Sequence, residues 1–396
     1  MAILAAVVLA ALALMSPPAR RSVVWRAMTT PLASIIGSGF LVLGPILDAA
    51  YGAYAPVAMA ALCLGAYLFG WAVRYNIGRI ERAAAGRGPA IERLESAASW
   101  LLGFAYVISV AYYLNLFGAF GVSLTTVNDG LHARLLTTAI YVLILFVGWT
   151  RGFRALEAFE HVSVAAKLAI IAGLLVGLAA FFWGKLAAGT LVVNAAERSG
   201  WAAMTLGFGL IVTVQGFETS RYLGRTYGAD MRIRSMRWAQ WASSAIYMAY
   251  ILLLAFVFER GELRLSETAI VDMMAIVAPV LPALLVAAAL AAQFSAAVAD
   301  TSGSGGLFAE ATGGRVSPRQ AYAILVGIGL ALTWSADVFE IISYASRAFA
   351  GYYALQAAIA ALTAWRDARS SARALAFAGL AALGVAIVLF GEPVEG

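Results

Sequence analysis

Apolar residues run along this chain in long stretches, at roughly 1–15, 28–50, 53–75, 97–122, 133–150, 161–184, 200–221, 236–258, 271–300, 319–335, 337–363 and 371–391. Polar residues gather in the short connections between them. A membrane-spanning strand needs only about 10 residues of alternating polarity, whereas a spanning helix needs about 20 that are mostly apolar. In lipid the backbone of each span must also satisfy its own hydrogen bonds. The pattern therefore predicts an all-α polytopic membrane protein with about 12 transmembrane helices. The connection at 76–96, NIGRIERAAAGRGPAIERLES, reads as an amphipathic helix on the membrane surface.

Composition strengthens the expectation. Of the 396 residues 63% are hydrophobic and 12% charged, and the mean hydropathy is +0.86. A soluble domain carries about 25% charged residues. Cys63, His132 and His161 are the whole complement of cysteine and histidine. That is too little for a disulfide framework or a thiolate–imidazole metal site, and no cofactor is expected.

The net charge of +6 is almost wholly arginine, since Lys167 and Lys185 are the only lysines. Its placement gives a topology. One set of connections holds twenty basic residues, from Arg20, Arg21 and Arg26 through Arg74–Arg93, Arg151, Arg154, Arg221–Arg237, Arg315 and Arg319 to Arg366–Arg373. The alternate set holds five, Arg134, Lys185, Arg198, Arg260 and Arg264. Cytoplasmic loops are the Lys/Arg-rich ones, so the first set is expected to face the cytoplasm, with the chain in the cell (inner) membrane. The basic charge thus needs no nucleic-acid partner. The opening span, MAILAAVVLAALALM, has no basic residue ahead of it, unlike a signal peptide. Residues 1–27 are read as an extra N-terminal helix, its N-terminus outside, with a cytoplasmic link; whether 1–15 spans the membrane stays open. Residues 28–184 and 200–363 then form two five-helix series, and 364–396 a last helix and tail.

Two spans are interrupted. TTPLASIIGSGFLVLGPILDAAYG carries Gly37-Ser38-Gly39 near its middle and Gly44-Pro45 beyond, and the span at 200–221 carries Gly207-Phe208-Gly209 and Gln215-Gly216-Phe217-Glu218. Glycine is a poor helix former, and main-chain groups freed at membrane depth are tolerated only where they line a cavity or bind something. Close helix packing by small residues is the alternative. Counting the span at 28–50 as core helix 1, the second interruption falls in core helix 6. Such pairing marks an inverted-repeat transporter. The N–H groups and positive dipole end after a break attract a carboxylate, which makes Gly37, Ser38 and Gly39 candidate substrate residues.

These residues resemble a family. IIGSGFLVLGPILDAAYGAYAP is similar to the first-helix signature of the amino acid–polyamine–organocation (APC) superfamily, the GFE of VTVQGFETSRYLG to its sixth-helix motif, and SGGLFAEATGGRVSP to the end of its eighth helix. The resemblance runs from about residue 28 to 363 and implies a leucine-transporter-like five-plus-five core with broken helices 1 and 6. Three departures bear on subfamily and substrate: Arg74-Tyr75-Asn76 replaces an acidic residue near the end of core helix 2, GRTYGADMRIRSMR replaces a Lys-Asn-Pro-Arg-like loop, and Gly305 stands in the place of an arginine.

The resemblance implies a secondary active transporter for a small organic solute, an amino acid or related amine, with H⁺ as coupling partner. Lys167 on core helix 5 would take the place where sodium-coupled relatives bind a cation, bridging helix 1 carbonyls and the hydroxyls of Ser295 and Thr301 on helix 8. Its alternative is snorkelling toward water. Glu157 and Glu160 would feed protons or form a solvated pair. The carbonyls of Val212, Thr213 and Gln215 would accept from a substrate ammonium, and Glu218 would belong to the gating network. Tyr112, Tyr113 and Asn115 are candidates to wall the pocket or to hydrogen-bond between helices. Arg347 is the second intramembrane cation, expected either to bind an anionic part of the substrate, such as a carboxylate, or to pair with Glu340 or Asp300. An enzyme is not expected, because neither histidine is placed to activate Ser302 or Ser304. A transporter-like sensor, an inactive paralogue, or an exchanger or uniporter without proton coupling are the alternatives. Solute identity, direction and oligomeric state are not legible.

Overall fold

The computed structural model describes residues 1–37, 39–80, 88–150, 154–259, 265–366 and 371–394, and every regular element among them is helical. In chain order the helices are α1 (Ala2–Leu14), α2 (Pro17–Arg21), α3 (Val23–Ile35), α4 (Gly39–Tyr51), α5 (Ala55–Ile80), α6 (Pro89–Val122), α7 (Gly130–Thr150), α8 (Arg154–Ala187), α9 (Gly200–Gly209), α10 (Thr219–Tyr222), α11 (Ala229–Leu254), α12 (Ala269–Val277), α13 (Leu281–Ala311), α14 (Pro318–Ser335), α15 (Val338–Trp365) and α16 (Ser371–Phe390). Among the described residues, six stretches are long and apolar enough to cross a membrane: Gly39–Arg79, Pro89–Val122, Gly130–Thr150, Ser163–Ala187, Leu281–Ala311 and Ser371–Phe390. α11 and α15, of 26 and 28 residues, have the length but carry more polar side chains.

The centre is α6, packed along α13 and α15. The described residues of this stretch, 76–80 and 88–96, hold no separate surface helix. α5 continues to Ile80 and α6 begins at Pro89, so the polar turns are the ends of the flanking spans. The apolar run at 271–300 is likewise two helices. Ala278 is extended (φ −163°, ψ 137°), so α12 stops there before Pro282 restarts the chain as α13.

α1 packs on α8, where Gly173 and Gly177 make room for Ile3 and Val7. A Cβ at Gly177 would lie 3.1 Å from Ile3 Cδ1. Its 13 residues reach only about 20 Å at about 1.5 Å per residue, short of the roughly 30 Å of a hydrocarbon core. Three of the arginines read as loop charges are partly or wholly inside the bundle. Arg74 is 5% exposed, donates to Gln240 and to the Tyr67 carbonyl, and lies 4.6 Å over the Tyr67 ring. Arg232 is buried as well, and Arg221 is taken up by a contact described below.

Two interruptions dominate the middle of the bundle. α3 ends at Ile36 (φ −84°, ψ 58°) and α4 starts at Gly39. α9 ends at Gly209, a 3₁₀ turn covers Ile211–Val214, Gln215 is extended, and Gly216 has φ +115°. That last value lies in a region open to glycine and costly for any side chain. Within α4, Pro45 has no N–H to give Leu41, and Tyr250 points its hydroxyl at the Leu41 carbonyl at 3.5 Å.

Candidate functional site

The two interruptions meet face to face. A Cβ on Gly39 would lie 2.7 Å from Thr213 Cα, and one on Gly216 would lie 2.8 Å from the Ile35 nitrogen. Glycine at both positions lets two unwound backbones touch. Helix ends leave carbonyls and N–H groups without intrahelical partners, and side chains from two other helices take them up. Tyr247 of α11 shares its hydroxyl proton between the Ile35 carbonyl at 3.0 Å and the Thr213 carbonyl at 2.6 Å. Ser346 of α15 donates to the Gly209 carbonyl at 2.6 Å and accepts from the Val212 N–H at 3.1 Å. Thr213 turns its own hydroxyl back to the Leu210 carbonyl. The cavity beside the breaks, lined by Ile35, Cys63, Val214 and Tyr247 among others, measures about 10 Å³, room for about one water.

Below the breaks lies a polar layer. The Glu218 carboxylate accepts from the Gly216 N–H at 3.0 Å and the Tyr353 hydroxyl at 2.9 Å, and is 1% exposed. Gln215 reaches Tyr113 on α6 at 3.5 Å. Asp300 of α13 accepts from Ser109 of α6. One step further along, Arg221 donates to Glu95 at the start of α6 and to Gln356 of α15, and Asn76 of α5 donates to the Gln356 side chain at 2.9 Å. These bonds join α5, α6, α10 and α15. A separate cavity of about 320 Å³, lined by Arg134, Glu267 and Asp337, reaches Asn115.

The expected residues fall into three groups. Gly37, Gly39, Val212, Thr213 and Gln215 converge at the paired breaks, with Glu218 directly beyond; Ser38 lies outside the described residues. Lys167 is 5% exposed and its Nζ donates to the Ala33 carbonyl at 2.5 Å, on the last turn of α3 before the first break. Thr301 bonds to the Ala297 carbonyl of its own helix at 2.6 Å, and Ser295 makes no hydrogen bond among the described residues. The side chains of Glu157, Glu160 and His161 lie outside the description. Tyr112 is buried, but its neighbour Tyr113 is the one that meets Gln215. Asn115 serves interhelical bonding, donating to Thr333 of α14 at 2.8 Å.

Arg347 does not pair with Glu340 or Asp300. Glu340 closes a capping box with Asp337 at the start of α15, and Asp300 is held by Ser109. Arg347 instead donates from Nε, at 3.0 Å, and from Nη2 to the Gly391 carbonyl. Residues 391–394 run against α9 there. The Glu392 N–H donates to the Thr205 carbonyl at 3.0 Å, and the Thr205 hydroxyl donates to the Glu392 carboxylate at 2.8 Å. Tyr247, Ser346, Tyr353 and Ser109 are site residues that the sequence reading missed. Each is one hydroxyl among several on its helix, and nothing in the chain order says which of them points at the breaks.

Comparison with known proteins adds two findings. The family profile described as "APC superfamily transporter" matches residues 17–391. An uncharacterized protein of Aquifex aeolicus (strain VF5) is 40% identical over 387 residues, spanning 96% of this chain and 94% of that one.

Proposed function

Because the chain belongs to the APC superfamily of transporters, we propose that this multi-pass membrane protein is a secondary active transporter for an amino acid or related amine, coupled to protons through Lys167. In this reading α3 with α4, and α9 with α10, are the broken first and sixth helices of a five-plus-five inverted repeat within about 12 spans. The arginine-rich connections face the cytoplasm across the cell membrane. Gly37, Ser38, Gly39, Val212, Thr213 and Gln215 then contribute main-chain groups to the solute, Tyr112 helps to wall the pocket, and Glu218 belongs to the gate. Arg347 acts on the outer half, where its present partner is the Gly391 carbonyl.

One observation supports the coupling role most directly. Lys167 places a buried ammonium on a carbonyl of the turn that ends at the first break. A cation at membrane depth is costly unless it meets a partner or water. Losing the proton weakens its hold on the Ala33 carbonyl, which ties the charge state of Lys167 to the position of α3. Rocking of one repeat against the other about the midplane site then exchanges access.

The test is uptake of amino acids and amines into proteoliposomes, with and without an imposed pH gradient. Wild-type uptake is expected to rise with an inward proton gradient, and Lys167→Ala to lose that dependence. Gradient-independent uptake, unaltered in Lys167→Ala, would refute the coupling.

A further inference from the structure

The cavity of about 320 Å³ lies where the start of α7, the connection before α12 and the corner between α14 and α15 come together beside α6. No residue of either break lines it. Its most buried polar residue is Asn115, 7% exposed. The Asn115 amide nitrogen donates to the Ala111 carbonyl and to the Thr333 hydroxyl, both at 2.8 Å, and Thr333 spends its own proton on the Gly329 carbonyl. Both partners therefore act as acceptors, and only the NH2 end of the amide can face them. The amide oxygen is turned away from them, and among the described residues no donor reaches it.

The walls carry opposite charges that do not meet. Arg134 of α7 and Glu267 are both partly exposed, and among the described residues neither side chain has a hydrogen bond or an ion pair. Asp337, the other carboxylate of the lining, is held in the capping box of α15, where it accepts from the Glu340 N–H at 2.8 Å. A guanidinium and a carboxylate on one cavity attract more strongly as water is excluded. Held apart, they favour a guest that carries both charges itself. An anion alone satisfies Arg134 and is repelled by the acids, and a cation alone does the reverse. A guanidinium matches a carboxylate through two parallel N–H donors, so the guest's carboxylate goes to Arg134 and its ammonium to Glu267. The Asn115 oxygen accepts a further N–H or O–H, since a buried acceptor is costly to leave unmet.

We propose that this cavity is a second binding site, apart from the paired breaks, for a zwitterionic α-amino acid whose side chain carries an N–H or O–H donor. Its occupant ties α7 to the connection before α12 and to the α14–α15 corner. Binding there does not depend on the transporter reading above.

The experiment measures equilibrium binding to the full chain in detergent, with L-glutamine, L-alanine, propionate and propylamine as probes. L-Glutamine is expected to bind most tightly, and L-alanine, which has no side-chain donor, more weakly. Propionate and propylamine carry one charge each and bind more weakly than L-alanine. Arg134→Gln and Glu267→Gln each raise the L-glutamine Kd about tenfold to hundredfold, the range for losing one charge-assisted hydrogen bond, and Arg134→Lys recovers part of the loss. Both side chains are partly exposed and unbonded among the described residues, so the variants are expected to melt as wild type does without ligand. Equal Kd values in wild type and both Gln variants overturn the proposal. So does propionate or propylamine binding as tightly as L-alanine, or no binding of either amino acid at about 10 mM. Amino-acid binding that Tyr247→Phe weakens and the cavity variants do not places the ligand at the breaks, which overturns this site and leaves the transport reading standing. Binding lost in the cavity variants, with no uptake of any solute by proteoliposomes, upholds this site and removes that reading.

Discussion

Tyr247→Phe isolates the clamp that holds the two unwound segments together. The tyrosine is fully buried, and its ring packs on Phe40 with centroids 5.3 Å apart, a contact that phenylalanine preserves. Only the oxygen is lost, and with it the shared proton serving the Ile35 and Thr213 carbonyls at 3.0 and 2.6 Å. A buried acceptor left without its donor costs about 1–3 kcal/mol. One proton serves two carbonyls here, so the shorter bond carries most of the effect, and the expected loss is about 2 kcal/mol, roughly thirtyfold in an equilibrium between joined and separated breaks. Thermal unfolding in detergent and the KM for transport read this out. Tyr247→Phe should lower the melting temperature and raise KM, because the main-chain groups proposed to meet the solute lose their fixed spacing. Tyr250→Phe is the control. Its hydroxyl only approaches the Leu41 carbonyl at 3.5 Å, so its effect should be well under half as large. Equal melting temperatures and KM values for Tyr247→Phe and wild type would refute the clamp.

Three further outcomes follow from the geometry. Gly216→Ala adds a Cβ at φ +115° that would meet the Ser34 and Ile35 backbone, costing about 2–5 kcal/mol; a variant as stable as wild type in a melting assay would contradict that packing. Arg221→Gln and Glu95→Gln each remove one side of an ion pair whose side chains are 14% and 16% exposed, so a double-mutant cycle on thermal stability should give a coupling of about 1–3 kcal/mol, and zero coupling would dismiss the pair as a tie between α6 and α10. Asp129, in the connection before α7, is held below the usual carboxylate value, first by the His132 backbone N–H and then by the His132 ring. A lowered folded value means that this cap is fully present above the unfolded carboxylate value and is lost as pH falls through the folded one, so amide exchange at His132 should accelerate only in acid below about pH 4.

How much of this was written in the chain depends on the distance over which each feature acts. The breaks are local. Gly37, Gly39, Gly209 and Gly216 announce weak helix, and the interruptions fall among them. The membrane character also follows from composition alone. The clamps do not, because Tyr247 lies 212 residues from Ile35 and Ser346 lies 134 from Val212, and only the packed bundle brings them together. Arg347 shows the same limit. Along one helix Glu340 is its natural partner, yet Asp337 three residues before Glu340 already forms a capping-box pattern that claims that carboxylate. Over its described residues, the surface helix expected at 76–96 gave way to the ends of α5 and α6 for a related reason. Polar residues at the ends of long helices look, in a hydropathy trace, like the connection between shorter ones.

Residues 391–394 give the bundle an unexpected mechanical constraint. They are bonded on one side to Arg347 of α15 and on the other to Thr205 of α9, two helices that otherwise meet along only a short edge. Parts riveted together in this way lose a degree of freedom. While the rivet holds, α9 and α15 turn as one leaf, and any bending of the interrupted segment has to be taken up at 210–218, next to the groups proposed to meet the solute.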